Sequence, residues 1–314
     1  MPTIETVLGP IESDQLGFTL SHEHTPRPPA ILGSEYPWMF DVEEMRQRGI
    51  AELTEAKQGG VDAIIDLSTP DLGRSMALSV DYARASGMHI VVATGIWREV
   101  PRAFRSWTPE RVAEVFIREI REGIQDTDIK AGVIKVASDA EGVSPEAEVI
   151  LRAAAIASRE TDCPISSHQW APLEVGMRQV EILRDAGAPM DRVCIGHSAD
   201  TTDVGYLERL LEAGVYLSMD RYPGGSVPTM DGGTQERPTW QQRNDTVRAL
   251  IDRGWAHRLM LGHDYAPGLH PRETPTRYLF VSTVAIPALL EAGVSQDTVD
   301  LMMREVPRRF LAGE

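Results

Sequence analysis

Two histidines separated by a single residue are the first feature of this sequence that could do chemistry. His22 and His24 follow an apolar run at positions 16–20. Residues two apart on a β-strand point to the same face, so both imidazoles would enter one cavity. Neutral imidazole is a good nitrogen ligand for divalent transition metals. An isolated His-x-His pair is more often two polar residues at a strand end, so the rest of the chain must decide.

Other residues that can bind metals follow three later apolar runs. His168 and His197 close two of them, and Asp264 comes after a third. Each has an ordinary structural explanation, because histidines occur in protein cores and an aspartate can cap a helix. Together with His22 and His24, they place four of the 8 histidines at strand ends. That many metal-binding side chains at equivalent positions favour a site over chance.

Lys135 is unusual because it lies inside the apolar segment 133–136. An ammonium group in an apolar strand is costly unless it is paired or deprotonated. One interpretation is a salt bridge to an acidic neighbour. The other is that the amine, with a pKa lowered by burial, reacts with CO₂ to form an anionic carbamate. The two oxygens of a carbamate can bridge two cations.

Eight strand-like segments alternate with helical patterns along the chain. Strands that alternate with helices pair in parallel through right-handed crossovers. Eight such units in 314 residues are typical of an α/β fold, the (β/α)₈ TIM barrel, whose active sites lie at the C-terminal ends of the strands. The predicted strands span residues 16–24, 61–67, 89–95, 131–138, 164–168, 192–197, 215–220 and 258–263.

The helical patterns predict at least eight helices in one domain. Residues 25–40 contain four prolines and are predicted to form a loop without a helix. A doubly wound sheet is the alternative fold, but no Gly-x-Gly-x-x-Gly follows a strand, which disfavours a dinucleotide-binding version. No composition break divides residues 1–314. Helices are predicted at 41–59, 74–85, 108–124, 144–159, 173–186, 204–213 and 240–253, followed by two or three near the C-terminus.

The remaining histidines are not expected to join the site. His89 and His257 lie at strand starts, the end of a barrel that serves stability. His263 is adjacent to Asp264 and would point away from the cavity. His270 lies in a loop and has no assigned role.

Composition excludes several classes of partner. The net charge of −16 argues against nucleic acid and anionic membranes. No apolar stretch reaches the roughly 20 residues of a membrane-spanning helix, and the N-terminus lacks signal-peptide features. Cys163 and Cys194 lie in apolar runs and are expected to be buried thiols, not a disulfide. We therefore expect a cytoplasmic protein with a small-molecule substrate.

The segments around these residues resemble the phosphotriesterase family of the amidohydrolase superfamily, and most of all its phosphotriesterase-like lactonases. The resemblance covers nearly the whole chain, and the six metal-binding residues are specific in combination. It is carried by GFTLSHEH at 17–24, AGVIK at 131–135, IGH at 195–197, MDRY at 219–222 and LGHDY at 261–265.

This resemblance implies a binuclear centre of two divalent ions, with Zn²⁺ the leading choice and Co²⁺, Mn²⁺ or Fe²⁺ compatible with the same ligands. A bridging hydroxide would attack a metal-polarised carbonyl or phosphoryl centre, and Asp264 would shuttle its proton. The implied ligands are His22, His24 and Asp264 at the more buried ion, His168 and His197 at the more exposed ion, and N6-carboxylated Lys135 between them.

The resemblance also implies the substrate class. A lactonase for acyl-homoserine or other γ- and δ-lactones is expected, with promiscuous phosphotriesterase activity, as a homodimer. Arg221, Trp97 and Tyr265 are expected to contact the substrate. Trp97 stands where lactonase relatives carry a tyrosine. The loop at 223–238 looks longer than in those relatives, and the segment 265–276 looks shorter, so the pocket that selects the substrate is altered.

Four other functions stay open on the sequence alone. A true phosphotriesterase (aryldialkylphosphatase) or a carboxylesterase would use the same centre on another ester. A mononuclear deaminase fits less well, because that class needs an acid near the fifth strand and has no use for Lys135. A non-catalytic metal-binding barrel would keep the ligands without turnover. Bound metal and measurable turnover distinguish these possibilities.

Overall fold

Eight parallel strands form a barrel at the centre of the protein. The structure is a computed structural model that describes residues 2–228, 233–267 and 276–314. The strands of the 8-stranded sheet follow one another in chain order. The last strand returns to the first, because the Asp264 N–H donates to the carbonyl oxygen of His22 (2.8 Å) and the His24 N–H to that of Tyr265 (3.0 Å). The protein is a TIM barrel, as predicted.

All eight predicted barrel strands are present, and two short hairpins accompany them. Strands β1 and β2 precede the barrel, and β10 and β11 lie in the loop before its last strand. The N-terminal hairpin has no counterpart among the predicted strands. The strands are β1 (Thr3–Thr6), β2 (Gly9–Glu12), β3 (Thr19–Glu23), β4 (Ala63–Asp66), β5 (His89–Gly95), β6 (Val133–Ala137), β7 (Ile165–His168), β8 (Val193–Ile195), β9 (Tyr216–Met219), β10 (Val227–Pro228), β11 (Thr234–Gln235) and β12 (Leu259–Leu261).

Each barrel strand is followed by at least one helix. Several helices begin at a side chain that accepts a backbone N–H of the first turn, as Asp41 does from Glu44 and Ser144 from Ala147. The helices are α1 (Ala30–Glu35), α2 (Val42–Gln58), α3 (Met76–Ser86), α4 (Pro109–Arg121), α5 (Pro145–Thr161), α6 (Val175–Asp185), α7 (Val204–Glu212), α8 (Trp240–Asp252), α9 (Ile286–Glu291), α10 (Gln296–Asp300) and α11 (Val306–Ala312).

The prediction that residues 25–40 contain no helix is wrong. Helix α1 and a 3₁₀ turn at Pro37–Met39 lie within this segment. Proline disrupts the interior of a helix, but it is tolerated at the first positions. Pro29 caps α1 and Pro37 begins the 3₁₀ turn, so neither interrupts a helical hydrogen bond.

Alternate strand residues divide the core into an inner and an outer layer. Ile64 of β4 and Ile134 of β6 pack in the cluster that includes the helices. Ala63 and Val133, one residue earlier, pack inside the barrel together with Phe310 of α11. Because side chains alternate along a strand, Lys135 shares the inward face of β6 with Val133. The barrel interior is therefore apolar toward the N-terminal ends of the strands and polar at their C-terminal ends.

Both cysteines are buried and unpaired, as predicted. Cys163 precedes β7, and Cys194 lies within β8. Burial raises the pKa of the Cys163 thiol to about 12, so it is protonated at neutral pH and unreactive. In the ranges that the structure describes, no helix is both long and apolar enough to cross a membrane.

Candidate metal centre

An irregularity in β3 turns both histidines of the His-x-His pair into the barrel. The pairing of β3 with β4 shifts between Leu20 and Glu23. Such a β-bulge moves the side chains that follow it to the other face of the strand. Leu20 packs against the outer layer, whereas His22 and His24 line the cavity, with their ring centroids 5.5 Å apart. The two-residue spacing gives a shared face, and the bulge makes it the inner one.

Asp220, which follows β9, orients two histidines at once. His22 Nδ1 donates to Asp220 Oδ2 (2.9 Å), and His197 Nδ1 donates to Asp220 Oδ1 (2.8 Å). With Nδ1 as the donor, the Nε2 of each ring is left with its lone pair. These three residues could hold an ion by distance alone. We interpret them instead as a hydrogen-bonded support, because the carboxylate is already occupied by both N–H groups.

His24 is oriented in the same way by a serine. Its Nδ1 donates to Ser68 Oγ (3.0 Å), and the Ser68 hydroxyl donates in turn to Asp66. This leaves His24 Nε2 as an acceptor, 3.2 Å from Asp264 Oδ1. Burial lowers the pKa of His24 to about 4, so the ring is neutral at physiological pH.

Asp264 lies between the two histidines of β3 and an arginine. Its Oδ1 is 3.3 Å from His22 Nε2, and its Oδ2 accepts from Arg221 Nε (3.0 Å). Burial by itself would raise the pKa of Asp264, but the neighbouring histidines and Arg221 hold it well below its usual range. Ligand atoms of Asp264, His22 and His24 lie within 4.8 Å of one another. Two neutral nitrogens and one carboxylate oxygen therefore converge on one point.

His168 and His197 face each other on the other side of the cavity. His168 Nδ1 lies 2.7 Å from His197 Nε2, while His168 Nε2 is 3.6 Å from Asp139 Oδ2. Burial lowers the pKa of His168 to about 4 and that of His197 well below its usual value. His197 donates through its Nδ1 to Asp220, and the Trp97 indole donates to His168 Nδ1, so the two facing nitrogens are both acceptors, an arrangement that a bound cation relieves.

Lys135 is buried beside the histidines. Its Nζ donates to His22 Nε2 at 3.3 Å, and it forms no ion pair with any residue that the structure describes. Burial lowers the pKa of the amine to about 8, against the opposite effects of Asp264 and Asp220. The salt-bridge interpretation of Lys135 therefore has no support, and a fraction of the amine is neutral near pH 7.

Three of these residues lie in left-handed backbone just beyond their strands. His197, Arg221 and Asp264 have φ angles of 54°, 66° and 52°. Such φ values are uncommon for residues other than glycine and cluster at functional sites. The predicted strands continue to residues 197, 220 and 263, whereas β8, β9 and β12 end earlier because the backbone turns there. The turn, not the strand, directs each side chain into the cavity.

An ion-pair network fixes Arg221. Its Nη1 donates to Asp200 Oδ2 (2.6 Å) and its Nε to Asp264 Oδ2. Arg243 of α8 is buried and holds the other oxygen of Asp200 (2.8 Å) and the carbonyl oxygen of Asp220 (2.9 Å). Burial would lower the pKa of Arg221, but the surrounding aspartates raise it above its usual value, so it is cationic. Arg221 is therefore a fixed cation within the candidate site.

These side chains line a cavity of about 230 Å³ at the C-terminal end of the barrel. Trp97 also lines it, and its indole Nε1 donates to His168 Nδ1 (3.3 Å).

Tyr265 does not lie among the described residues that line the cavity. The backbone N–H of Tyr265 donates to Glu23, and its hydroxyl accepts from Arg48 Nη2 (3.2 Å), so its ring turns away from the cavity. The expected contact between Tyr265 and substrate is therefore not supported.

The other histidines lie apart from the cavity. His263 Nδ1 donates to Glu23 Oε1 (2.8 Å), and its Nε2 accepts from the Val281 N–H (3.0 Å), which joins β3 to the helices after the barrel. His257 is exposed and His89 half-buried, both at strand starts. His270 lies outside the described residues. Residues 229–232 and 268–275, which belong to the two loops predicted to differ in length from those of lactonase relatives, also lie outside them. The difference in loop length therefore stays a prediction.

The donor set fits divalent transition metals. Nitrogen atoms of neutral histidines and a carboxylate oxygen suit Zn²⁺ and its neighbours in the series. Each imidazole on the Asp264 side also has a hydrogen-bond partner on its other nitrogen, the arrangement usual for metal-binding histidines. The fold and this cavity therefore define a TIM-barrel protein with a candidate metal centre, of the kind that hydrolases use.

Comparison with known proteins agrees with that class. A model of the phosphotriesterase family matches residues 2–311. The chain belongs to the phosphotriesterase family. It is 38% identical over 328 residues to the phosphotriesterase homology protein of Mycobacterium tuberculosis, covering 99% of this chain and 98% of that one. The solved structure of the phosphotriesterase from Mycobacterium tuberculosis has a TM-score of 0.89 at 36% identity and covers 99% of this chain and 98% of its own.

More distant relatives are named for different hydrolytic activities. An aryldialkylphosphatase of Saccharolobus solfataricus is 32% identical over 317 residues, 96% of this chain and 97% of that one. An N-acetyltaurine hydrolase of Xenopus tropicalis is 25% identical over 343 residues, 98% of this chain and 97% of that one. Family and relatives together indicate a hydrolase, without fixing the bond that it cleaves.

Asp220 is a residue of the candidate site to which the sequence motifs assign no role. It lies in the MDRY segment, directly after β9, so its position at a strand end was an available signal. An aspartate there has many possible roles, and only the structure shows one carboxylate shared by histidines from two different strands. Asp200 is similar, because its link to Arg221 depends on the turn that follows β8.

Asp220→Asn is expected to weaken metal binding and turnover roughly 10- to 100-fold. An amide can accept from one imidazole N–H, but its NH₂ group opposes the other and disturbs that ring. Metal affinity measured by competition with a chromogenic chelator tests this. Asp185→Asn, at an exposed position in α6, is the control. Equal affinity in Asp220→Asn and the control would contradict the supporting role.

Proposed function

We propose that the protein is a binuclear metal-dependent hydrolase of lactones, including acyl-homoserine or other γ- and δ-lactones, with promiscuous phosphotriesterase activity. The observation that carries this proposal is the convergence of four histidines, Lys135 and Asp264 on one buried cavity. Membership of the phosphotriesterase family supports hydrolysis. The preference for lactones rests on the resemblance of the sequence motifs.

Two groups of side chains would hold the metals. His22, His24 and Asp264 would hold the more buried ion, and His168 Nδ1 with His197 Nε2 would hold the more exposed one. Two divalent ions there, Zn²⁺ first or Co²⁺, Mn²⁺ or Fe²⁺, would supply Lewis acidity that activates water and polarises a carbonyl or phosphoryl oxygen. Which metal is present depends on availability, because these ligands accept several.

Lys135 would join the two groups as its N6-carboxylated form. The lone pair of the neutral amine forms a C–N bond to CO₂, one C=O bond becomes the carboxylate, and the amine proton leaves to solvent. The product is a carbamate with one negative charge. The burial of Lys135 and the absence of an ion pair to the described residues support this step.

Asp264 is the proposed proton carrier. It is ionised, so it can accept a proton from the nucleophilic water and pass it to the oxygen of the leaving group. Arg221 holds Oδ2 and leaves Oδ1 toward the histidines, where Oδ1 would bind the more buried ion. Arg221 and Trp97 line the cavity and are the proposed substrate contacts, with Arg221 placed to stabilise developing negative charge.

Other hydrolytic activities compete with this proposal. The relatives named above include an aryldialkylphosphatase and an N-acetyltaurine hydrolase, so a phosphotriester, another carboxylic ester or an amide could be the native substrate. The same constellation serves all of them, because each presents an electrophilic centre beside an oxygen that a cation can polarise. A barrel that binds metal without turnover is the remaining alternative.

Initial rates on a matched panel distinguish these activities. The panel contains short- and long-chain γ- and δ-lactones, an aryl ester, an aryl phosphotriester and an N-acyl amide, with protein reconstituted with metal in bicarbonate and Lys135→Ala as the blank. We expect the wild-type protein to show its highest kcat/KM on lactones, well above the rate of the Lys135→Ala blank on the same compounds. A preference for another bond would move the native function within the family. No turnover above the blank on any compound would contradict the proposal.

The assembly, location and domain count remain proposals of the same kind. We propose a homodimer, supported by apolar side chains at and after α1 that are largely exposed, including Trp38 at 76%. Sedimentation velocity would show a dimer, and a monomer at micromolar concentration would contradict it.

The free, buried cysteines support a cytoplasmic location. The family match over 2–311 supports a single domain for residues 1–314.

A further inference from the structure

Arg27 is a buried arginine in the cavity wall, and no described carboxylate forms an ion pair with it. It follows β3, is 3% exposed and lines the same cavity as the candidate metal ligands. Its Nε donates to the carbonyl oxygen of Leu72 (2.8 Å) and its Nη1 to that of Thr25 (2.8 Å). Its Nη2 has no hydrogen-bond partner among the described residues. One nitrogen of a cationic side chain in the cavity wall is therefore buried without a hydrogen-bond partner.

The nearby carboxylates are engaged by other groups. Asp66 accepts from Thr25 Oγ1 (2.7 Å) and Ser68 N (3.0 Å), and Asp264 accepts from Arg221. Arg221, the other arginine of the cavity, differs from Arg27 because two of its nitrogens bind aspartates. A buried guanidinium is normally paired, since leaving a charged donor unsatisfied is costly.

The balance of charge in the cavity has the same implication. Among the described residues that line it, Arg27 and Arg221 are cationic and Asp264 is the one carboxylate, and the charge of the two proposed ions would exceed that of a carbamate on Lys135. Burial lowers the pKa of Arg27, but arginine stays protonated at any physiological pH. A cavity of this charge favours an anionic ligand, because a guanidinium binds carboxylate oxygen through short, charge-assisted hydrogen bonds.

We propose that Arg27 binds an anionic oxygen group of the substrate, and that the native substrate of this hydrolase carries a carboxylate near the bond that is cleaved. The proposal rests on the proposed function of the same site. The volume of about 230 Å³ is small for a ligand pocket, so the two groups must lie close together in a compact molecule. The Nε and Nη1 bonds to backbone carbonyls hold the side chain in place before substrate arrives.

A pair of matched lactones tests this assignment. The γ-lactone of 2-hydroxyglutaric acid carries a carboxylate on the ring, and its carboxamide has nearly the same shape without the charge. We expect the wild-type protein to prefer the carboxylate, and we expect Arg27→Met to lower the ratio of kcat/KM, carboxylate over carboxamide, roughly 10- to 100-fold. The change should appear mainly in KM. Arg27→Lys, which keeps the charge, should recover part of the ratio.

Controls separate this proposal from a purely structural role for Arg27. Arg118→Met, at a 73% exposed position of α4, should leave the ratio unchanged. Arg27→Gln, which can still donate to a backbone carbonyl, replaces Arg27→Met if that variant does not fold. A loss of activity that is equal for both lactones would overturn the proposal, because a structural defect does not distinguish charge. An unchanged ratio would overturn it as well.

Binding measurements keep the proposal testable if neither lactone is hydrolysed. That result would count against the proposed lactonase function and not against anion binding by Arg27. Calorimetric titration of the metal-reconstituted protein with each lactone then decides. Tighter binding of the carboxylate that is lost in Arg27→Met supports the assignment, and equal affinities for the two lactones in wild type overturn it.

Discussion

Replacing Lys135 by alanine is expected to lower kcat/KM about a thousandfold, because the proposed bridging carbamate would contribute several kcal/mol of transition-state stabilisation through the metal centre. Lys135 lies on the inward face of β6, 3.3 Å from His22 Nε2 and without an ion pair to the described residues. Alanine removes the amine and leaves a space beside the histidines. A short carboxylic acid such as acetate or propionate should occupy that space and restore part of the rate.

The chain offers a matched control for this variant. Lys130 precedes β6 and is only partly buried, and it does not line the cavity. Lys130→Ala should keep the wild-type rate and show no response to added acid. Rates are measured with and without bicarbonate during metal reconstitution. Full activity in Lys135→Ala, or the same rescue by acid in both variants, would contradict a bridging role for Lys135.

Removing the metal is expected to abolish turnover and to destabilise the protein. A ligand present at a thousand times its dissociation constant stabilises the folded state by about 4 kcal/mol, and that contribution is lost in the apoprotein. Asp264 and the histidines would then face one another in a buried cavity without a cation. Incubation with a chelator, gel filtration and thermal unfolding measure both effects.

Readdition of metal is the control for this treatment. We expect Zn²⁺ or Co²⁺ to restore both the rate and the melting temperature, whereas Mg²⁺ restores neither, because it prefers oxygen ligands. The order in which different metals restore the rate and the melting temperature indicates whether nitrogen or oxygen ligands dominate the site. A chelated protein that retains its full rate and its melting temperature would show that the four histidines serve structure alone.

The barrel was predictable because the sequence repeats one simple pattern. β-Branched segments such as 89–95 alternate with helices that begin at Ser, Thr or Asp and end near glycine, and eight repeats fit one architecture. The N-terminal hairpin was not predictable in the same way. Its strands Thr3–Thr6 and Gly9–Glu12 are four residues each, too short for periodicity to distinguish them from an irregular segment.

The positions of the candidate ligands followed from strand ends, but their orientation did not. The bulge before Glu23 and the left-handed backbone at His197 and Asp264 have no local signature in the sequence. Bulges and left-handed residues of this kind occur at barrel rims and functional sites, where the surrounding structure holds them in place. The same limit explains Tyr265, which is adjacent to Asp264 in sequence but turns toward Arg48. The role of Asp220 could not be predicted for the same reason, because it depends on contacts with histidines from two distant strands.

The metal content of the purified protein tests the central claim most directly. Protein reconstituted in bicarbonate and freed of loosely bound ions by gel filtration is analysed by inductively coupled plasma mass spectrometry, together with His22→Ala and His168→Ala. We expect two tightly bound divalent ions per wild-type chain and fewer in each variant, since the two histidines are proposed to bind different ions. Fewer than one ion per wild-type chain, or equal content in all three proteins, would contradict a binuclear centre at this site.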